Sequence, residues 1–385
     1  MPDVLKPGAT IGILGGGQLA RMLALAAAPL GLKCHVYAPD KDSCAFDVVD
    51  AHTLAAYDDE NALAHFADAV NVVTYEFENV PAKTAAYLTA HTKVLPDPHV
   101  LETTQDRLIE KYFLSGLKVA TAPYAPVHSA TQLADGLAKV GVPAVLKTTR
   151  LGYDGKGQVL LRRAADIRDA FAVLSPKPLI LEGFVDFSHE ISVVAARGED
   201  RSYASFDTVE NRHRDHILDV TLAPARVAEA VDAQAQAIAR RVADALDLVG
   251  LLAVEMFVDP GGKVLVNEIA PRPHNSGHWT IDACPASQFE LHLRAIAGLP
   301  LPPAVRHSDA AMKNLVGPDE TALWPEILAT PGLIPHLYGK VEARPGRKMG
   351  HVTRLFPKGA LPGEFGIAAA LGPAAPQSLG QRPSD

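Results

Sequence analysis

Two apolar strands joined by a tight turn constrain the fold of this chain more than any other feature of its sequence. Residues 251–270 read LLAVEMFV and KVLVNEIA on either side of DPGG, and such turn residues between apolar runs favour a β-hairpin. If the turn pairs its first residue with its last, Glu255 lies opposite Val266, and Glu268 lies diagonally from Glu255 on the same face. The hairpin therefore predicts two neighbouring carboxylates.

This carboxylate pair has two interpretations. Diagonal neighbours on one face of a sheet are about 7–8 Å apart, which suits two carboxylates that hold Mg²⁺ against nucleotide phosphates. Acids embedded in apolar strands are also costly unless a cation or a partner compensates them. The alternative is an exposed sheet face with unrelated acids, and a one-residue bulge would turn one side chain to the opposite face.

A lysine and a glycine loop precede the hairpin in the chain. Lys147 ends the apolar run AVLK, and GYDGKGQ follows at residues 152–158. An ammonium group and backbone N–H groups without a nearby Cβ are suited to phosphate oxygens. The loop is not a Walker A motif, because no GxxxxGK[ST] occurs. Glycine turns between strands are common, so the loop indicates a nucleotide site only together with the downstream carboxylates.

The order of the predicted elements divides the chain into three domains. Short apolar strands alternate with helices over the first hundred residues, which predicts a Rossmann-like parallel sheet. Strands and a long alanine-rich helix follow, and LPLPPAV marks a linker. We expect an α/β (α+β) protein with domains at residues 1–104, 105–299 and 300–385. The last domain is expected to be small and β-rich, with a partly disordered tail from about Lys358.

Composition excludes several classes of protein. The net charge of −8 argues against a general nucleic-acid binder. Three cysteines without CxxC spacing fit a reducing compartment, and no apolar run reaches the roughly 20 residues of a membrane span. The start of the chain lacks the pattern of a secretory signal. We therefore expect a soluble, cytoplasmic protein with neither a nucleic-acid nor a membrane partner.

Several motifs resemble those of one enzyme family. KTTRLGYDGKGQ, LEGFVDFSHEISVV and VNEIAPRPHNSGHWTIDAC resemble the ATP-grasp fold, and in detail they are similar to the N5-carboxyaminoimidazole ribonucleotide synthetases. GILGGGQLARMLALAA, TYEFENVP and HLYGKVEARPGRKMGHVT extend the resemblance over about residues 10–356. It implies a ligase of purine biosynthesis that uses ATP and bicarbonate to carboxylate 5-aminoimidazole ribonucleotide through carboxyphosphate, forming ADP and phosphate.

The resemblance also implies which residues bind each ligand. The metal ligands would be Glu255 and Glu268, and the catalytic residues Lys147, Tyr153 and Asp154. ATP would be bound by Arg107, Lys147, Gly152, Tyr153, Asp154, Gly155, Lys156, Gly157, Gln158, Glu182, Gly183, Phe184, Val185, Glu190, His213, Asn267 and Glu268. The ribonucleotide would be bound by Gln18, Glu76, Arg272, His274, Asn275, Ser276, Lys340 and Arg347, although the basic residues at 340–348 also fit a solvated surface.

The implied cofactors are ATP and one or two Mg²⁺ ions, with Mn²⁺ as an alternative ion, and the implied assembly is a homodimer. Ala270 stands where many ATP-grasp enzymes carry a metal-binding asparagine, so the number of ions is open. Ala20, Leu151 and His216 also differ from the residues expected there, but none removes a required chemical group.

Other functions remain as alternatives. Gly15-x-Gly17-x-x-Ala20 after a strand, with Asp40 after the next strand, imitates a dinucleotide fingerprint and suggests an NAD-dependent dehydrogenase. That interpretation leaves Lys147 and the hairpin acids unexplained. Sister ATP-grasp enzymes, such as formate-dependent glycinamide ribonucleotide transformylase or biotin carboxylase, share the ATP site but differ in the terminal motifs. A catalytically silent nucleotide-binding module is the third alternative.

Overall fold

The computed structural model describes residues 4–152 and 156–376, and the strands of these residues form three sheets. The first sheet is parallel, as predicted, with strand order β3-β2-β1-β4. Its strands and the helices among them are β1 (Thr10–Leu14), α1 (Gln18–Ala27), β2 (Lys33–Ala38), β3 (Ala51–Leu54), α2 (Glu60–Asp68), β4 (Val72–Tyr75), α3 (Ala82–Thr89) and α4 (Pro98–Gln105).

The second sheet is antiparallel, with order β5-β8-β6-β7. It carries the lysine at residue 147 near the end of one strand, and the glycine loop connects that strand to the next. Its elements are α5 (Arg107–Gly116), β5 (Tyr124–Val127), α6 (Ala130–Val140), β6 (Ala144–Thr148), β7 (Gln158–Leu161), α7 (Ile167–Leu174) and β8 (Leu179–Gly183).

The third sheet is a large antiparallel one in the order β14-β13-β9-β11-β12-β15-β17-β16, with β10 beside β9. Its strands are β9 (His189–Arg197), β10 (Tyr203–Ser205), β11 (Val209–Arg214), β12 (Ile217–Ala223), β13 (Gly250–Val258), β14 (Val264–Ala270), β15 (Ser308–Val316), β16 (Leu333–Leu337) and β17 (Lys348–Pro357). The accompanying helices are α8 (Glu229–Ala245), α9 (Thr280–Ala283), α10 (Gln288–Ile296), α11 (Gly317–Ala322), α12 (Trp324–Ala329) and α13 (Glu364–Leu371).

Apolar helix faces hold the sheets together. α8 is the predicted alanine-rich helix, and its buried face, which includes Ile238 and Val242, packs on β9 and β13. α10 packs on α1, so Phe289 and Leu293 enter the same core as Ile11 of the first sheet. Burying such side chains contributes about 1.5–3 kcal/mol each, and this fixes the first sheet against the rest of the molecule.

The C-terminal region joins the large sheet rather than forming a sheet of its own, because β15 pairs with β12. The domain boundaries after residues 104 and 299 stay predictions. Residues 364–371 of the expected tail form α13, which buries Ile367 and Leu371, and the partly disordered tail stays a prediction. Residues 377–385 lie outside the described residues. No helix of the described chain is long and apolar enough to cross a membrane.

Candidate active site

A cleft of about 1820 Å³ is lined by strand residues of the second and third sheets and by residues that follow β1 and β4 of the first sheet. Most of the residues predicted to bind a ligand line it, namely Gln18, Glu76, Arg107, Lys147, Gly152, Lys156, Gln158, Glu182, Gly183, Phe184, Val185, Glu190, His213, Glu255, Asn267, Glu268, Arg272, His274, Asn275, Lys340 and Arg347. Gly157 and Ser276 are not part of this lining. Tyr153, Asp154 and Gly155 lie outside the described residues.

The turn of the β13–β14 hairpin is longer than predicted. The N–H of Asp259 donates to the carbonyl of Lys263 (3.0 Å), and the N–H of Gly262 donates back to the carbonyl of Asp259 (2.9 Å). Asp259 therefore pairs with Lys263 and not with Gly262. This one-residue difference alone would send the two hairpin acids to opposite faces of the sheet.

A β-bulge restores the shared face. The register shifts by one residue between Glu255 and Met256, which leaves Asn267 as the extra residue of β14. Glu255 then lies directly opposite Glu268, instead of diagonally as predicted. The predicted register was wrong in two places whose effects cancel, and the prediction that both carboxylates share one face was right.

The two hairpin acids have opposite pKa shifts. Burial raises the pKa of Glu268, and the negative charge of Glu255 raises it further. Burial alone would also raise the pKa of Glu255, but the neighbouring His274, His213 and Lys348 outweigh burial and lower it. Nε2 of His274 lies 2.7 Å from Oε1 of Glu255. The pair thus combines one firmly ionised carboxylate with one that a cation or a proton would stabilise.

Lys147 takes part in a buried ion cluster with Glu182 and Lys111. Nζ of Lys147 donates to Oε2 of Glu182 (2.5 Å), while Nζ of Lys111 lies 3.2 Å from the other oxygen, Oε1. Burial would raise the pKa of Glu182, but the two ammonium groups outweigh it and lower that pKa to about 2. Lys111 also donates to the carbonyl of Asn267 (2.9 Å), the residue of the bulge. The cluster therefore connects the small sheet to the hairpin.

Arg107 lies beside the first residue of the glycine loop. Its guanidinium donates to the carbonyls of Thr148 (3.2 Å) and Gly152 (2.9 Å), so it holds the beginning of the loop against the end of β6. One turn along the same helix, Glu110 accepts from the N–H of Ile269 (3.0 Å). Burial and the nearby Glu268 raise the pKa of Glu110 to about 8. A third carboxyl group thus lies beside the hairpin pair.

Two of the backbone N–H groups at residues 182–185, the strand edge predicted to bind adenine, already donate hydrogen bonds within the protein. The N–H groups of Gly183 and Phe184 donate to the carbonyls of Pro123 (2.8 Å) and Pro143 (3.0 Å). Neither N–H group is therefore available to a base, which leaves the next residue of the edge, Val185. The nearby rings of Phe187 and Phe257 stack at a centroid distance of 4.8 Å and form an apolar wall.

Glu190 and His213 form a pair on neighbouring strands. Nδ1 of His213 and Oε2 of Glu190 are hydrogen-bonded. A bulge between Arg212 and His213 turns the histidine into this position. Burial would lower the pKa of His213, but the hydrogen bond and the charge of Glu190 outweigh it and raise that pKa.

The glycine turn after β1 is occupied by a carboxylate of the chain itself. Glu76, at the end of β4, accepts from the N–H groups of Gly17 and Ala20, the latter at 3.0 Å. A dinucleotide fingerprint places the pyrophosphate on these N–H groups. Because Glu76 fills that position, the turn argues against the dehydrogenase alternative. Asp40, the other element of the fingerprint, instead accepts from the N–H of Asp42 (3.0 Å).

The basic side chains at residues 340–348 lie partly in the cleft and partly in solvent. Lys340 is largely buried and donates to Oε1 of Gln18 (2.5 Å) and to the carbonyl of Lys348 (2.5 Å). Burial lowers the pKa of Lys340 to about 8. Arg347 also lines the cleft and donates to the carbonyl of Glu342 (2.9 Å). Arg344 is exposed and pairs with Glu342 outside the cleft.

Arg272, Asn275 and Ser276, which follow the hairpin, lie in three different environments. Arg272 forms an ion pair with Glu78, a residue that sequence analysis did not identify as part of the site. Asn275 lines the cleft with only 8% of its surface exposed, and neither amide atom has a hydrogen-bond partner in the described chain. Ser276 is fully buried behind the cleft and bonds to Ser192 (2.8 Å), so the prediction that it lines the pocket was wrong.

Sequence analysis missed the buried charges of α5 because this helix buries an adjacent acid and base while two of its large apolar side chains are exposed. Glu110 and Lys111 are buried, whereas Ile109 and Tyr112 on the same helix are 45% and 55% exposed. Adjacent acid and base in a helix ordinarily indicate a solvated face. The only available signal is their position three and four residues after Arg107.

Comparison with known proteins identifies the three parts of the chain. The ribonucleotide synthetase preATP-grasp domain family matches residues 8–105, the ATP-grasp domain family residues 112–289, and the phosphoribosylaminoimidazole carboxylase C-terminal domain family residues 310–360. These matches confirm the predicted ATP-grasp fold with a parallel N-terminal sheet and a β-rich C-terminal region.

Individual proteins agree with these families. N5-carboxyaminoimidazole ribonucleotide synthase of Brucella melitensis is 49% identical, over 92% of this chain and 98% of the relative. The Staphylococcus aureus N5-carboxyaminoimidazole synthetase structure complexed with ADP has a TM-score of 0.91 and 36% identity, over 96% of this chain and 98% of that one. The Aspergillus clavatus synthase, solved with ADP and 5-aminoimidazole ribonucleotide, has a TM-score of 0.86 and 32% identity, over 91% of this chain and 94% of that one.

Proposed function

Because the chain belongs to the N5-carboxyaminoimidazole ribonucleotide synthase family, we propose that it carboxylates 5-aminoimidazole ribonucleotide in purine biosynthesis at the expense of ATP. One observation carries the proposal: a single cleft joins the Lys147 cluster and the hairpin carboxylates to a second cationic region at Lys340 and Arg347. Two anionic substrates, ATP and the ribonucleotide, can therefore meet in one cleft.

ATP occupies the side of the cleft between the small sheet and the hairpin. Lys147 and Arg107 meet the phosphates, and Gly152, Lys156 and Gln158 approach them from the glycine loop. Val185 supplies the edge N–H for adenine, since the neighbouring N–H groups are engaged. Glu190 accepts from the ribose hydroxyls, and His213 holds its carboxylate in place.

A divalent cation, Mg²⁺ or Mn²⁺, fits the hairpin carboxylates. Glu255 and Glu268 lie directly opposite each other, face the cleft and repel each other, as the raised pKa of Glu268 indicates. Oxygen ligands of this kind are those that Mg²⁺ prefers, usually completed by phosphates and water. The ion would neutralise phosphate charge, and Asn267, which precedes Glu268 on β14, would lie near it. Ala270 offers no ligand atom, so one or two ions are compatible with the site.

The chemistry is a phosphoryl transfer to bicarbonate, followed by breakdown of carboxyphosphate and addition of the amine to the CO₂ it releases. A bicarbonate oxygen attacks the γ-phosphorus of ATP, so that carboxyphosphate forms and ADP leaves. Carboxyphosphate then releases phosphate and CO₂, the exocyclic amine attacks the CO₂ carbon, and the amine loses a proton. Lys147 stabilises the transferring phosphoryl group, and Asp154 or Tyr153 accepts the proton. Exclusion of water from the bound substrates would protect the labile intermediate.

The ribonucleotide occupies the side between the first sheet and the C-terminal region. Lys340 and Arg347 meet its phosphate, and Gln18 and Glu76 lie at the adjacent turn. Asn275 offers one donor and one acceptor for the imidazole edge, since both amide atoms are buried without partners among the residues described. Arg272 and His274 complete the wall.

We also propose a homodimer in the cytoplasm. The family resemblance supports the dimer. Cys34, Cys44 and Cys284 support a reducing compartment, because all three are buried and unpaired. Light scattering of the purified protein at several concentrations tests the dimer.

The decisive experiment measures phosphate release from ATP, with Mg²⁺ and bicarbonate, in the presence of different acceptors. Strong stimulation by 5-aminoimidazole ribonucleotide, and none by glycinamide ribonucleotide or biotin, is expected. Stimulation by glycinamide ribonucleotide or biotin would assign a sister reaction. ATP turnover indifferent to every acceptor would overturn the assigned substrate, and absence of turnover would favour a silent nucleotide-binding module.

A further inference from the structure

We propose that a chain of buried side-chain hydrogen bonds, running from Thr221 to His274, positions the metal carboxylate Glu255. Thr221, Asn211, Ser192 and Ser276 would be positioning residues, because they act on Glu255 only through the His274 ring. The inference rests on the metal site proposed at Glu255 and Glu268, and it explains why Ser276 is buried behind the cleft.

The links of the chain are continuous and short. Thr221 Oγ1 lies 3.0 Å from Asn211 Oδ1, and Asn211 Nδ2 lies 2.9 Å from Ser192 Oγ. Ser192 Oγ lies 2.8 Å from Ser276 Oγ, which lies 2.8 Å from Nδ1 of His274. Nε2 of the same ring is 2.7 Å from Oε1 of Glu255. Four hydrogen bonds and this His274–Glu255 contact therefore link Thr221 to the carboxylate.

The direction of these bonds fixes the His274 tautomer. The backbone N–H of Ser276 points to Nδ1 of His274 (3.3 Å), and an N–H group can only donate. Nδ1 therefore carries no proton and accepts from Ser276, while the ring proton resides on Nε2, which faces Oε1 of Glu255. Upstream, the hydroxyl of Thr221 donates to the Asn211 carbonyl oxygen, so the Asn211 amide donates to Ser192 and Ser192 donates to Ser276.

Burial restricts the orientation of each side chain in this series of hydrogen bonds. Ser192, Thr221 and Ser276 have no exposed surface, and Asn211 is 5% exposed. A buried polar group that loses its partner has no water to replace it, so each member holds the next in one orientation. The four residues come from β9, β11, β12 and the turn after β14, so the sheet itself sets their spacing.

The backbone of His274 is held independently of its ring. Oε1 of the buried Gln288 accepts from the N–H of His274 (2.9 Å), and Nε2 of Gln288 donates to its carbonyl (2.7 Å). Ring and backbone are thus both fixed, and the contact of His274 with Oε1 leaves Oε2 of Glu255 for the cation. Partners that orient a metal ligand in this way typically change metal affinity 10–100-fold when removed.

The first test reads the tautomer directly and needs no metal. Long-range ¹H–¹⁵N spectra of the histidine rings, with His274 assigned by its loss in His274→Gln, are expected to show Nε2 protonated and Nδ1 accepting. In Ser276→Ala the Nδ1 resonance should shift, because it loses its hydroxyl donor. A protonated Nδ1 in the unmodified protein, or an Nδ1 resonance that does not move in Ser276→Ala, would overturn the proposal.

The second test measures Mn²⁺ binding in the presence of ADP by electron paramagnetic resonance. Ser276→Ala should weaken binding about 10–100-fold, and Ser276→Thr should recover part of the loss. Thr221→Val keeps the side-chain shape and should weaken binding in the same direction. Thr353→Val is the matched control, because its buried hydroxyl lies in another part of the sheet and has no partner in the described chain.

The outcomes separate this inference from the metal site. Mn²⁺ affinity equal to that of the unmodified protein in Ser276→Ala and Thr221→Val would overturn the positioning role while leaving the metal site in place. Unchanged affinity in Glu268→Gln would overturn the metal site itself, and the metal part of this inference with it. The ring spectra decide the hydrogen-bond chain in either case.

Discussion

Replacing Lys111 with methionine should destabilise the protein strongly, although Lys111 was not among the residues predicted to bind a ligand. Its side chain is 1% exposed and its ammonium group serves Glu182 and the carbonyl of Asn267. Methionine fills similar space but leaves Glu182 with Lys147 as its remaining cation and the carbonyl without a donor. Breaking a buried ion pair on one side costs about 3–5 kcal/mol.

The pKa of Glu182 gives a second estimate of this cost. Its decrease from 4.5 to about 2 corresponds to about 3 kcal/mol of folding free energy near neutral pH, shared between Lys147 and Lys111. Lys111→Met loses the Lys111 share of this free energy. It also leaves the buried carbonyl of Asn267 without its donor, which costs about 1–3 kcal/mol, so the total loss of folding free energy is near 3 kcal/mol. Both estimates are a large fraction of a typical domain stability.

The sign of the pH dependence follows from the depressed pKa. The stability that Glu182 contributes is complete above its unfolded value of 4.5 and is lost as pH falls toward 2. The stability difference between Lys111→Met and the unmodified protein should therefore be largest near pH 7 and narrow between pH 5 and 2. The measurement is urea unfolding followed by circular dichroism across this range.

Two variants make the result specific. Lys93→Met removes an exposed ion pair with Glu199 and should cost less than about 1 kcal/mol. The double variant Lys111→Met/Glu182→Gln removes the uncompensated charge and should recover part of the lost stability. A Lys111→Met protein as stable as Lys93→Met would refute the argument that this buried ammonium connects the sheet to the hairpin.

Four further predictions concern the reaction. Lys147→Ala should lower kcat/KM for ATP about 100–1000-fold, measured by phosphate release; full activity would remove its role at the phosphates. Glu268→Gln should raise the Mg²⁺ concentration for half-maximal rate at least about tenfold, and an unchanged Mg²⁺ titration would exclude it as a ligand. Arg347→Ala should raise KM for the ribonucleotide about tenfold or more and that for ATP much less, while the reverse ranking would place the phosphate elsewhere. Because the pKa of Lys340 is lowered to about 8, KM for the ribonucleotide should rise as pH increases through 8, and Lys340→Arg should remove this rise.

Sequence patterns predicted the elements well where the local signal was strong. The alternation of strands and helices predicted the parallel first sheet, and the apolar run HEISVVAAR corresponds to β9, His189–Arg197. The alanine-rich helix was predicted at residues 226–246 and extends over Glu229–Ala245. Such segments are recognisable because their periodicity reflects a single buried face.

The hairpin register shows the limit of local reasoning. The turn residues DPGG fit two turn lengths, and nothing in VLVNEIA marks Asn267 as the bulge. The bulge depends on contacts from other elements: Lys111 donates to the carbonyl of Asn267, and the N–H of Val266 donates to Ala120 (2.8 Å). These partners lie about 150 residues earlier in the chain, so the register is set by tertiary structure.

Buried polar residues were the other source of error. Ser276 follows two cleft residues in the chain and was expected beside them, but the short turn Asn275–Gly277 directs it into the interior. Lys111 and Glu110 look like ordinary helix-surface charges in sequence. In both cases the partners come from distant strands, and a single sequence gives no indication of them.

The pairing of β15 with β12 has a consequence for synthesis of the chain. β12 ends at Ala223, and the strand that covers its edge begins at Ser308, about 85 residues later. At about 5–20 residues per second, a ribosome leaves this edge open for several seconds. An unpaired edge recruits strands from other chains. A fragment that stops at the 300–305 linker would therefore tend to aggregate, although it contains every residue predicted to bind ATP.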